Sequence, residues 1–194
     1  MIIGNNKPIR VIGYAESSLT QEFVAEIQRT HACQVMTPEQ FCVLADPSQF
    51  QYIVSLNVDF PERRAIIDQI DQQDLVTVIH DSAVIADQTT IGGGTFVFPF
   101  CNIGLAATVG RHCVLAAYSM IGHHAQIGRN CVLRPSVIVT GKSQVGDHCV
   151  FNLRSTVTNQ VQVADSVQVQ AFSNVICDVD QPGRYAGRRA RKIT

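Results

Sequence analysis

Residues 103–132 read IGLAAT VGRHCV LAAYSM IGHHAQ IGRNCV, a run of hexads that each open on an aliphatic residue. The register extends in both directions. Stepping by six from Ile79 gives Ile85, Ile91, Val97, Ile103, Val109, Leu115, Ile121, Ile127, Leu133, Val139, Val145, Phe151, Val157, Val163, Val169 and Val175. The second place is often glycine, as at Gly92, Gly104, Gly110, Gly122, Gly128 and Gly146. Because glycine tolerates positive φ, these residues are expected to help the chain turn. The fifth place is small or β-branched, and Cys101, Cys113, Cys131 and Cys149 all occupy it. Their recurrence in one slot favours packing over redox or metal chemistry.

A six-residue period of this kind is the hexapeptide pattern of a parallel β-helix. It resembles the left-handed β-helix family, in which each hexad is a short strand plus a corner and three hexads close a triangular coil. The left hand comes from that resemblance, since crossovers between parallel strands are usually right-handed. Coils stack at roughly 4.8 Å, and each buried aliphatic contributes on the order of 1.5–3 kcal/mol before entropy is subtracted. On this reading His112, Asn130 and His148, all at the fourth place, share a column of solvent-facing corners.

Residues 1–78 lack the hexad. Arg10 to Ala15 reads as a strand, Ser18-Leu19-Thr20-Gln21 fits a capping box, and Leu19, Phe23, Val24 and Ile27 share a helical face. Tyr52 to Leu56 reads as a second strand, and Pro61 suits the first turn of a helix carrying Ile66, Ile67 and Ile70. The fold class expected is therefore mainly β: a left-handed parallel β-helix over 79–180 preceded by a small Rossmann-like α/β domain over 1–78. Residues 181–194 are expected to form a basic tail, with Arg184, Arg188, Arg189, Arg191 and Lys192.

Of the 194 residues, 46% are hydrophobic and 16% charged, enough to bury a core and too apolar for disorder. A formal net charge of -1 gives no electrostatic reason to expect nucleic acid. No apolar run approaches the roughly 20 residues of a membrane span, and the N-terminus does not read as a signal peptide, so a cytoplasmic location is expected. Seven cysteines, an odd number without CxxC, suggest neither a disulfide framework nor a zinc ribbon.

The order of α/β unit, Val78-Ile79-His80-Asp81-Ser82-Ala83, hexads and basic tail resembles one branch of the hexapeptide acyltransferases. That branch acetylates amino sugars on nucleotide carriers and includes sialic acid O-acetyltransferases. The best-matched stretch is Ser119-Met120-Ile121-Gly122-His123-His124-Ala125-Gln126-Ile127-Gly128. The resemblance implies acetyl-CoA as co-substrate, a sugar or sugar-nucleotide acceptor, no metal, and a homotrimer with sites between subunits. It assigns His123 as the base with His124 beside it, and Gly141, Leu153, Ala171, Arg188 and Arg189 to the oxyanion and coenzyme. Gly13, Tyr14 and Ala116 fall to the acceptor.

Departures from the branch are specific. Gly13-Tyr14-Ala15-Glu16-Ser17-Ser18 keeps only the first glycine of a phosphate-cradling loop and puts a carboxylate where phosphate would approach. His124 stands where an acidic residue is usual, and Ala116 where an asparagine is usual. Val169 to Ser173 replaces a glycine-rich coenzyme wall.

Acetyl transfer needs a base, an oxyanion donor and alignment. Imidazole suits the first, and His123 is the one histidine at a third place; the alternative is an exposed strand-edge histidine. Gly141 follows 18 residues later and so stacks on His123, which leaves its N–H open to a carbonyl oxygen; the alternative is a corner glycine. The terminal arginines suit coenzyme phosphates, or else form a solvated tail. A zinc β-helix carbonic anhydrase needs two histidines five residues apart, and no pair here has that spacing. A non-catalytic scaffold relative is the standing alternative.

Overall fold

The computed structural model describes residues 1–44, 46–55, 60–70 and 73–193. They divide into two compact units: 1–78 with 93–96, and 79–92 with 97–194.

In the first unit, β1 (Ile2–Ile3) pairs antiparallel with Thr77–Ile79. It is followed by β2 (Ile9–Ile12), α1 (Ser18–Gln28), β3 (Cys33–Met36), α2 (Pro38–Cys42), β4 (Gln51–Val54), α3 (Phe60–Ile70) and β5 (Asp74–Leu75). Strands β3-β2-β4-β5 form one parallel sheet in that order. Ile12, Tyr52, Val54, Ile66, Ile67 and Ile70 build its core, and Phe23 and Ile27 of α1 are buried. The helix face expected at α1 is thus present at those two residues; the Leu19 side chain, and Leu56 at the end of the second expected strand, lie outside what is described.

The capping box lies elsewhere than expected. Ser17, not Ser18, is the N-cap of α1, and its side chain makes no cap bond. The box forms at α2, where the Gln40 N–H donates to Thr37 Oγ1 at 3.3 Å and the Thr37 N–H donates to Gln40 Oε1 at 2.9 Å. Pro38 is the cause: the residue before a proline is steered out of the helical region, and Thr37 accordingly sits at ψ 161°.

The second unit is a solenoid of two- and three-residue strands in three parallel sheets. From Val84 to Val175 its paired strands join residues 18 apart, as in Asn102↔Met120, Thr108↔Gln126 and Val114↔Val132. First-place residues from Val97 to Val175 are buried in its interior. The expected register holds throughout.

The reason for the glycines does not hold. Positive φ occurs at the fourth place instead, at every hexad from Gln88 to Phe172, and all but Gly94 of these residues are non-glycine. Each left-handed residue costs on the order of 1 kcal/mol. Backbone bonds from the coil before hold it, such as Tyr118 N–H to Pro99 O at 3.1 Å and His124 N–H to Leu105 O at 2.8 Å. Second-place glycine answers crowding between coils: a Cβ at Gly104 would lie 2.7 Å from His123 N, and one at Gly110 would lie 2.6 Å from the Gly128 carbonyl carbon. Gly110→Ala therefore forces coils apart, and it should destabilise the protein by about 1–3 kcal/mol in denaturant unfolding.

Fifth-place residues have a bonding reason beyond size. Cys113, Cys131 and Cys149 donate Sγ–H to the carbonyls of Gly128, Gly146 and Ala164, each at 3.1–3.2 Å, and Ser143 Oγ reaches Thr158 O at 2.9 Å. A small donor at this place gives the second-place carbonyl found 15 residues later a hydrogen bond from the neighbouring coil. Burial pushes the Cys101 thiol up to about 11, which leaves it protonated and unreactive at neutral pH.

Two further expectations are corrected. His112, Asn130 and His148 are buried, with the Asn130 amide nitrogen 3.1 Å from His148 Nδ1; the column is a packed polar stack, not a row of exposed corners. The basic tail is a strand pair: Gly183–Ala186 lies parallel on Val167–Val169, and Arg191–Ile193 folds back antiparallel on it. Tyr185 and Ala190 anchor this hairpin in the solenoid interior while its cations stay outside, so it covers the last coil's open edge.

Candidate active site

His123 and His124 occupy the third and fourth places of one hexad, at the corner between strands Met120–Ile121 and Gln126–Ile127. Both rings are exposed. His124 has φ 58°, and this corner brings its ring beside its neighbour's: the two Nδ1 atoms are 3.1 Å apart and the rings meet edge to face. One Nδ1 must carry the hydrogen. When it is that of His123, His124 accepts it and the Nε2 of His123 keeps a free lone pair.

That Nε2 faces Gly141. A Cβ on Gly141 would lie 2.7 Å from Nε2 and 2.9 Å from Cδ2, so the imidazole occupies space that only glycine leaves. Lys142 N–H donates to His123 O at 2.9 Å, which fixes the two coils here. Elsewhere a third-place N–H is taken by the next coil's carboxylate, as from Arg129 to Asp147 at 2.8 Å and from Asp147 to Asp165 at 2.7 Å. Among the described residues no such bond engages the Gly141 N–H.

The other candidates lie apart from this corner. Ala116 is buried on the preceding corner, its carbonyl accepting from Ser119 Oγ at 2.6 Å, so its side chain offers no surface to a ligand. Leu153 and Ala171 are exposed and stacked 18 residues apart on that same preceding corner. The Arg188-Arg189 turn of the terminal hairpin lies beside them, through Asn174 N–H to Gly187 O at 3.1 Å and Gly187 N–H to Ser173 Oγ at 3.0 Å. Coenzyme candidates thus gather on one corner of the prism, and His123, His124 and Gly141 on another. Gly13 and Tyr14 follow β2 in the α/β unit, at the carboxyl end of its sheet.

A feature that sequence reading missed is the aromatic column on the corner that carries Leu153 and Ala171. Phe100 and Tyr118 stack with centroids 5.0 Å apart, and Phe172 is exposed further along it. Their spacing in multiples of 18 at the fourth place is the signal that would have found them. Among the described residues no three His, Cys, Asp or Glu side chains converge on a metal position, and no helix is long and apolar enough to cross a membrane.

Residues 106–141, spanning the histidine corner and Gly141, match the family described as Bacterial transferase hexapeptide (six repeats). That segment carries the hexapeptide repeat of this family. A sequence comparison with curated proteins finds no match. Solved structures do match over nearly the whole chain. The acetyltransferase domain of PglB from Neisseria gonorrhoeae, in complex with acetyl coenzyme A, has a TM-score of 0.82 at 17% identity, covering 97% of this chain and 100% of that one. PerB from Caulobacter crescentus, in complex with CoA and GDP-perosamine, gives 0.80 at 17% identity over 97% and 98%. WeeI from Acinetobacter baumannii gives 0.72 at 16% identity over 96% and 99%. The expected fold, a left-handed β-helix with a small α/β unit before it, is borne out.

Proposed function

We propose that this protein is an acetyl-CoA-dependent acyltransferase that acetylates the amine, or a hydroxyl, of a small acceptor of the aminosugar class, with His123 as general base. The observation that carries the proposal is the placement of His123 Nε2 against Gly141. It sets a free imidazole nitrogen next to an N–H able to bind an oxyanion, in a fold shared with acetyl-CoA-bound and CoA-bound transferases. His123 takes the acceptor's proton as the nitrogen or oxygen attacks the thioester carbonyl. The Gly141 N–H bonds the oxygen as it gains charge, and the thiol leaves. Such general-base help is worth about 10² to 10⁴ in rate.

His124 positions rather than reacts. By accepting the Nδ1–H of His123 it selects the tautomer with Nε2 free, but a neutral ring stabilises the imidazolium less than a carboxylate does. Aspartate also tolerates the left-handed corner. His124→Asp should therefore raise kcat several-fold in a thiol-release assay; no change or a fall would remove the positioning role.

The homotrimer follows as part of the proposal. One chain puts its base and its coenzyme candidates on different corners, so a complete site draws on two chains. The coenzyme corner exposes Phe100, Tyr118, Leu153 and Phe172, an apolar surface suited to a second copy. Sedimentation should give three chains per particle, and Tyr118→Glu should shift it to monomer with loss of activity. A CoA-using enzyme of this kind is placed in the cytoplasm.

The test is thermal unfolding with acetyl-CoA and desulfo-CoA, followed by thiol release with aminosugars. A ligand at about 100 times its Kd adds roughly 2.7 kcal/mol of stability. No shift with either CoA species at millimolar concentration would replace the enzyme by a non-catalytic scaffold.

A further inference from the structure

In an open α/β sheet, ligands bind beyond the carboxyl ends of the strands, where the strand order reverses. Here the order β3-β2-β4-β5 puts that point between β2 and β4. A nucleoside diphosphate at such a point needs free N–H groups and helix amino ends to receive its phosphates.

Much of this supply is spent within the unit, although the amino end of α1 has no side-chain cap. The Gly13 N–H donates to Met36 O at 2.9 Å and the Ser17 N–H to Tyr14 O at 3.1 Å. At the start of α2 the reciprocal Thr37–Gln40 cap uses the end-group donor. The first turns of α2 and α3 carry Glu39 and Glu62, and their carboxylates converge on one group from the β2 loop. The Tyr14 hydroxyl is 3.1 Å from Glu62 Oε1 and 3.4 Å from Glu39 Oε1, a single proton between two anions. The Tyr14 pKa is pushed up to about 12, by desolvation first and then by Glu62, as a negative surround requires. Arg63, also on α3, is buried and gives Nη1 to the Val54 and Ser55 carbonyls at 2.7 Å each. No glycine follows Gly13 until Gly92, so nothing in this loop allows the close backbone approach of a pyrophosphate.

We infer that Tyr14, Glu39 and Glu62 close the strand ends of the α/β unit to phosphate, and that the acceptor is a free aminosugar or simple glycoside, not a nucleotide-linked one. The inference rests on the acyltransferase reading and narrows it. It separates this chain from PerB, whose structure holds GDP-perosamine.

The experiment is isothermal titration of the full-length protein with UDP, GDP and dTDP, beside the variant carrying both Glu39→Gln and Glu62→Gln. Each variant side chain keeps its shape and loses its charge. The expected result is no measurable binding to the native protein at about 1 mM, with at least tenfold tighter binding to the variant for one of the three. Thiol release should favour 4-amino-4,6-dideoxyglucose over its dTDP-linked form by at least tenfold in kcat/KM. Native binding of any of these diphosphates below about 100 μM, or preference for the nucleotide-linked acceptor, overturns the inference. Failure of CoA to bind sinks the acyltransferase reading instead, and the nucleotide titration still decides this point.

Discussion

His123→Asn should lower kcat for acetyl transfer by about 10²- to 10⁴-fold while acetyl-CoA still raises the melting temperature. Asparagine keeps a side chain of moderate size but cannot take a proton. The loss falls on kcat because the coenzyme candidates Leu153, Ala171, Arg188 and Arg189 sit on the other corner and are untouched by the change. Stability should change little, since the ring is exposed and its one side-chain hydrogen bond is to exposed His124. Steady-state thiol release, read beside thermal shift, checks both halves. Unchanged turnover would return His123 to an ordinary corner residue.

Gly141→Ala is the second large effect, and it acts without removing any reacting atom. The new methyl would lie 2.7 Å from His123 Nε2, 2.9 Å from Cδ2 and 3.0 Å from Cε1. The backbone is held on both sides, so the imidazole must swing away. A displacement of about 1 Å at a reacting group can cost 10²-fold, and a loss of that size in kcat/KM is expected. Gly141 is not among the residues with positive φ, so alanine strains no backbone there, and the melting temperature should stay close to that of the parent. A variant that kept full activity would show that the imidazole works from another rotamer, and Gly141 would lose its place in the site.

The solenoid was readable because its decisive contacts are periodic in the sequence itself. Ile103 meets Ile121 and Ile127 meets Val145 for the same reason that they are 18 apart, so the hexad register maps directly onto the core. The same arithmetic stacked Gly141 on His123. What resisted reading was conformational. Glycine at the second place suggested a turn, yet the left-handed residues are Phe100, Tyr118, His124, Lys142 and their kin at the fourth place. Side chains there accept the strain because bonds from the coil before impose it, and residue type alone does not reveal such tertiary compulsion.

The α/β unit was harder because nothing in it repeats. Ser18-Leu19-Thr20-Gln21 and Thr37-Pro38-Glu39-Gln40 are equal as capping patterns, and only the backbone restriction that Pro38 places on Thr37 separates them. The short β3 and α2 went unseen for want of a long apolar period. The tail's charges hid Tyr185 and Ala190, which fix it as a hairpin. Glu16 already warned against phosphate at this unit, but Glu39 and Glu62 reach Tyr14 from 25 and 48 residues away, a convergence that only the sheet brings about.

Stacking in steps of 18 also decides how the molecule comes apart. Each coil leans only on the coils directly before and after it, so the free energy of opening is lowest at the two ends and rises inward. The histidine corner belongs to residues 115–132 and Gly141 to 133–150, near the middle of a solenoid of about six turns. Fraying from the hairpin end must release 169–186 and then 151–168 before it loosens the step between His123 and Gly141. The alignment of His123 with Gly141 is thus sheltered by position alone, and it outlasts the partial openings that a solenoid of this length undergoes.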